Sequence, residues 1–320
     1  MKKTLVALAA VAVTGGAFAQ STITGDFSYG YAQTTTGPGV STGGMGIGDA
    51  DIYWAATEKI EGVGDVSVNM TLDLSGGSSY GQAGEYMTLK LENGVSVKMG
   101  NYKGADYLSG GIAAAGSNYD ADLSGKNLAA RSYKDTVSIS IPVAQGLKLG
   151  FTMEEAEGGS AAKGTGAAGT TLYGIQRRNT VSIDYAAGGL VVNAGYRTYD
   201  GTSSLASSYA SSLNRASASY DLGIAKIGGG YQQTTYGYGN TLTDTLGGIT
   251  IPLGNLSIGA MSGTTQTSGL STNTSRSGAI YGGSYALSKR TSLTGQYFSY
   301  DAGSTAGNTT GYTFKMITTF

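Results

Sequence analysis

The two side chains that dominate acid-base, nucleophilic and metal chemistry are missing: the chain has no His and no Cys among its 320 residues. Its many serines therefore lack an imidazole base to activate them, and no imidazole metal site is available. The absence of Cys excludes a disulfide framework. What remains is fixed charge, 20 Lys+Arg against 21 Asp+Glu. A balance this even leaves no basic footprint for nucleic acid.

That charge is concentrated in particular places. The connector from Asn101 to Ala130 carries Asp106, Asp120 and Asp122 beside Lys103 and Lys126. Asp120 and Asp122 lack the further ligands of a calcium loop, so neither a metal nor any other cofactor is expected. Gly44, Gly46 and Gly48 have no following lysine and no strand-to-helix context, which makes them loop or strand glycines rather than a phosphate cradle. Elsewhere Lys90, Lys98, Lys134, Lys148, Arg178, Arg197, Arg215, Lys226, Arg276 and Lys315 alternate with apolar neighbours, while acids of the same parity are fewer, chiefly Asp26, Asp73, Glu154 and Asp184. Charges that alternate with apolar residues are expected on the wet face of strands.

The alternation itself is plain in several segments. Val66, Val68, Met70, Leu72 and Leu74 interleave with Ser67, Asn69, Thr71 and Asp73, and Leu147, Leu149, Phe151 and Met153 interleave with Lys148, Gly150, Thr152 and Glu154. Tight turns near 61–65, 92–94, 143–146, 186–189, 221–223, 252–255 and 287–290 take turns with longer connections near 34–45, 76–84, 102–130, 156–171, 200–211, 236–240, 263–274 and 301–308. Those fifteen connections join sixteen strands. The weak pattern at 241–251 leaves room for a bulge or a shifted register. An even strand number, with short turns at one end and long loops at the other, predicts an all-β, 16-stranded antiparallel transmembrane β-barrel.

The two ends supply its closure. Tyr312, Phe314, Met316 and Phe320 share one parity, and Ile23, Phe27, Tyr29 and Tyr31 share another at the start. Sheet edges must be paired inside a membrane, so the first strand is expected to meet the last. Tyrosines such as Tyr185, Tyr196, Tyr220, Tyr231 and Tyr297 keep the apolar parity expected of interfacial girdles. Before the first strand, Lys2 and Lys3, an apolar run and Ala17-Phe18-Ala19 have the three-part build of a secretory signal, with cleavage expected after Ala19. That run is too short to span a bilayer as a helix. Domains of 1–19 (signal) and 20–320 (barrel) follow, and losing the signal takes the formal net charge from −1 to −3.

The signal, the terminal Phe320, and the hairpins YALSKRTSLTGQYFSYD and TEKIEGVGDVSVNMTLDL resemble those of Gram-negative general diffusion porins, most nearly the β-proteobacterial ones. The TITG opening at Thr22 to Gly25 departs from that group's TLYG, and EKIEGVGD departs from its acidic EDLGGG turn. The resemblance implies a passive channel for ions and small hydrophilic solutes, exported to the outer membrane and set in lipopolysaccharide. It also implies a homotrimer, and recognition of the last strand by the barrel-assembly machinery. It makes 102–130 the inward-folded third loop, with Lys90, Lys98, Lys134 and Lys315 as the wall across from it. The acidic patch Glu154, Glu155 and Glu157 fits a solvated rim, which divalent cations could bridge to lipopolysaccharide. The alternative is a sealed barrel that works through its outer loops as an adhesin or structural protein. An enzyme is not expected, for want of an activated nucleophile.

Overall fold

A computed structural model describes residues 20–37, 39–74, 81–103, 133–155, 177–200, 210–237, 239–269, 273–301 and 307–320. The proposed signal, with Ala19, lies outside them. Sixteen strands run in chain order: β1 (Gln20–Thr36), β2 (Val40–Ile60), β3 (Gly64–Asp73), β4 (Gly81–Leu91), β5 (Ser96–Lys103), β6 (Tyr133–Ala144), β7 (Leu147–Glu155) and β8 (Arg177–Ala187); then β9 (Leu190–Asp200), β10 (Ala210–Asp221), β11 (Lys226–Tyr236), β12 (Thr241–Leu253), β13 (Leu256–Ser268), β14 (Thr274–Ala286), β15 (Thr291–Asp301) and β16 (Asn308–Thr319). Each pairs antiparallel with its sequence neighbours, and β1 pairs with β16, so the sheet is closed. The strand number and the closure are those expected from the turn count.

Alternation divides the two faces as physics requires. Phe151, Val181, Tyr196, Tyr231, Tyr281, Leu293 and Phe314 are exposed on the outer face, while their neighbours Thr180, Ser182, Thr294 and Thr313 are buried on the inner one. A sheet that exposes its apolar side around the whole ring is at home only in lipid. Apolar side chains also occur on the inner face, among them Leu213, Leu246, Met261 and Ile280.

All seven expected tight turns are present, and several longer connections are shorter than expected. Pairing between β1 and β2 continues to Thr36↔Val40, so the segment 34–45 is mostly strand and not loop. Its glycines blur the alternation without removing backbone hydrogen bonds. Similarly, Thr267 pairs with Thr274, because threonine sits well in an extended chain. The third long connection runs over 104–132 rather than 102–130, since Tyr102 and Lys103 still pair with Lys134 and Tyr133. Contrary to the expectation at 241–251, β12 pairs without a register shift on either side. The bulges fall elsewhere, one of them between Ser28 and Tyr29 of β1 against β2.

Closure runs along β1 and β16 from Thr35↔Thr310 to Asp26↔Thr319 and continues to Phe320. Gly25 N donates to Phe320 O at 3.0 Å and Phe320 N donates to Gly25 O at 3.0 Å. A β-carbon on Gly25 would lie 2.4 Å from Phe320 Cζ and 2.7 Å from the backbone oxygen of Asp51. Glycine is thus required for the terminal ring to lie against the first strand. Gly25→Val is expected to lower the yield of folded barrel severely, read as loss of the heat-modifiable fast band in cold gel electrophoresis; an unchanged folded fraction would refute this role for Gly25.

Candidate functional site

Two groups of charges stand out on the inner wall among the described residues. On β1, β2 and β3, Asp26 lies opposite Asp51, and Asp51 lies opposite Asp73, so three carboxylates occupy one row across neighbouring strands. Like charges directly opposite repel. Tyr53 relieves part of this strain, its hydroxyl lying 2.7 Å from Asp26 Oδ2 and 3.1 Å from Asp51 Oδ2. Asp49 extends the group upward, with Lys315 Nζ at 4.0 Å.

The bulge decides why these acids face inward. Ser28 pairs with Asp49 and Tyr29 pairs with Ile47, leaving Gly48 as the extra residue. Met45 and Ile47 above it are exposed, whereas Asp51 and Tyr53 below it have the same odd parity and meet Asp26 inside. One inserted residue moves a strand's side chains to the other face. Ser28 fixes the switch: its Oγ accepts from Asp49 N at 2.7 Å and donates to Asp49 Oδ2 at 3.3 Å. A β-carbon on Gly48 would stand 2.8 Å from Lys315 Nζ, so glycine also leaves room for the ammonium.

Across the ring, β9 stands eight strands from β1, and there the charges are mainly basic. Arg178, Arg197 and Arg215 are inward on β8, β9 and β10. Arg197 Nη2 lies 2.9 Å from Glu154 Oε2 in a pair whose side chains are 11% and 5% exposed. Its Nε donates to Thr180 Oγ1 at 2.9 Å. Arg178 lies over the Tyr199 ring at 5.6 Å. On β5, Lys98 Nζ sits 3.6 Å from the centre of the Tyr86 ring and 3.9 Å from that of Tyr102, which is a strong cation-π arrangement.

Of the sequence candidates, Lys98, Lys134 and Lys315 are on the inner face, and Lys90 has inner parity at the turn end of β4. Lys103 is the exposed last residue of β5 and not part of the loop. Asp106, Asp120, Asp122 and Lys126 lie outside the described residues. Tyr312, Phe314, Met316 and Phe320 line the outer face of the closing strand, with Tyr312 stacked on Tyr31 at 6.0 Å. Sequence reasoning missed Asp49 and Asp51, because the segment before them reads as loop and the bulge inverts their parity. It also missed Asp244, fully buried and held by Thr265 Oγ1 at 2.7 Å and Gln232 Nε2 at 3.2 Å. Among the described residues no group of three metal ligands is assembled.

A closed sixteen-stranded barrel with an apolar outside and a charged, hydroxyl-rich inside is a membrane channel, since a barrel of this size encloses water. A family model for Gram-negative porins matches residues 4–305, and the chain belongs to that family. It is an outer-membrane porin, forming a water-filled channel for passive diffusion of ions and small hydrophilic solutes. The comparison with curated proteins finds no match. Solved structures with the same fold include an anion-selective porin from Comamonas acidovorans (TM-score 0.70, 17% identity, covering 94% of this chain and 100% of that one). Another is Salmonella typhi OmpF in complex with daunomycin (0.75, 13%, 94% and 98%). A third is in-vitro folded OmpT of Vibrio cholerae in its trimer form (0.66, 11%, 94% and 99%).

Proposed function

We propose that solutes entering this channel are sorted by a field laid across the lumen by the barrel wall itself. The observation that carries the reading is the carboxylate row Asp26–Asp51–Asp73 on β1–β3, set across the ring from Arg178, Arg197 and Arg215. Opposed charges across a narrow water-filled gap orient water and polar solutes, and admit ions by sign and size. No covalent step and no energy input are involved. Residues 104–132 serve as the constriction, with Asp106, Asp120, Asp122 and Lys126 on it and Lys103 at its root. Lys98, Lys134 and Lys315 form the wall that these acids face, and Lys90 adds charge toward the turn end. Loop length supports this, as does the loop's place third among the long connections.

The working unit is a homotrimer, a state that OmpT of Vibrio cholerae carries in its solved form. The chain is exported by cleavage after Ala19, is read by the assembly machinery through Tyr312, Phe314, Met316 and Phe320, and sits in lipopolysaccharide. Single-channel recording of the refolded protein in a planar bilayer tests the reading. Long-lived steps in the nanosiemens range, in groups of three, are the expected result, and a folded but silent barrel would overturn it. On the loop, Asp120→Asn with Asp122→Asn is expected to shift the reversal potential toward anions. An unchanged reversal potential would remove these two residues from the constriction.

A further inference from the structure

The inner wall from β5 to β9 holds a recess of about 380 Å³. That lies at the small end of ligand pockets, roughly 300–1,000 Å³, and suits one monosaccharide ring better than a longer chain. Its floor is built from hydroxyls. Thr136, Ser138 and Ser140 on β6, Thr152 on β7, and Thr180 and Ser182 on β8 all line it. They form a patch across three adjacent strands, with Ser138 opposite Thr152 and Thr152 opposite Thr180.

The charges at its border are already engaged. Lys98 rests on the Tyr86 and Tyr102 rings at 3.6 and 3.9 Å. Arg197 is held by Glu154 at 2.9 Å and by Thr180 at 2.9 Å. Asp184 accepts from Asn193 Nδ2 at 2.8 Å. An entering anion would have to compete with these internal partners. Ser138 and Thr152 keep spare capacity, because each offers one donor and two acceptor positions and they exchange only one bond at 2.9 Å, whereas Thr136 already donates to Lys134 O at 3.0 Å and Thr180 accepts from Arg197 Nε. A surface of this kind matches a solute that is itself a set of hydroxyls, each both donor and acceptor.

We propose that the recess is a weak binding station for neutral polyhydroxylated solutes of monosaccharide size, a substrate preference built into the channel wall. It rests on the channel reading. Weakness is part of the design, since a station in a conducting pore must release what it binds.

The full protein, reconstituted in liposomes, is tested for glucose entry over a range of external concentrations, and each preparation is also recorded in KCl. Wild-type entry is expected to saturate at millimolar glucose. Ser138→Ala with Thr152→Val and Thr180→Val is expected to raise half-saturation at least about tenfold, as for loss of several hydrogen bonds. Thr152→Ser with Thr180→Ser, which keeps the hydroxyls, is expected to saturate as the wild type does. Entry that rises in proportion to glucose in the wild type overturns the proposal, as does a triple variant that saturates unchanged. Saturation by acetate but not by glucose also overturns it, in favour of an anion site. KCl current in a wild type that lacks saturation leaves the channel reading intact, whereas absence of KCl current in the wild type removes that reading and the station with it.

Discussion

Arg197→Met is expected to destabilise the folded barrel by roughly 3–5 kcal/mol, the usual loss when one member of a buried ion pair is removed. The two side chains are 11% and 5% exposed at a separation of 2.9 Å, so Glu154 would be left as a nearly dry charge. Its register partners are Thr136 and Arg178 on the neighbouring strands, and the Arg178 guanidinium is turned to the Tyr199 ring. The double variant Arg197→Met with Glu154→Gln is expected to recover most of the loss, because the uncompensated charge goes too. Trp54 is the chain's single tryptophan, so urea unfolding in lipid vesicles can be followed by its emission. A loss below about 1 kcal/mol, typical of an exposed pair, would mean that channel water solvates the carboxylate fully.

A second large effect is expected in conduction. Asp26→Asn, Asp51→Asn and Asp73→Asn together are expected to move the reversal potential toward anions by roughly 10 mV or more, against a limit of about 59 mV for a tenfold gradient of a monovalent salt. The direction follows from removing three negative charges from one row while the arginines opposite stay in place. Salt supplies the control, since screening lengths fall from about 10 Å at 0.1 M to about 3 Å at 1 M. The shift should therefore shrink as both chambers are made more concentrated at a constant ratio. A triple variant with the wild-type reversal potential at low salt would place the row outside the ion path.

Much of the architecture is legible because a lipid-facing strand must state its environment at every second residue. The tight turns and the closing of Ile23–Tyr31 against Tyr312–Phe320 follow from parity alone. Parity fails where the chain adds a residue, and Asp49 and Asp51 were hidden by this. It is also silent where small residues occupy both faces, as from Gly43 to Gly48. The inward sets led by Lys98 and Arg197 could be assigned to the lumen, yet their partners could not. Tyr86 and Tyr102 lie on strands β4 and β5 at positions 16 residues apart and meet around Lys98 only through register. Glu154 and Arg197 are on strands two apart, and the long Arg197 side chain meets its partner by reaching across Thr180 of β8.

The bond pair between Gly25 and Phe320 has a consequence in time. Each of the other neighbouring strands can zip to the one before it as soon as both have been made, because the two follow one another along the chain. The seam cannot, for its partners are β1 and β16, fifteen strands apart in chain order. Every incomplete chain keeps two unpaired edges, with a loop spanning almost the whole protein still to be closed, and contacts so distant in sequence form slowly. The edge of β1 therefore stays open until β16 reaches it, and the β1–β16 pairing is the step that ends that vulnerability.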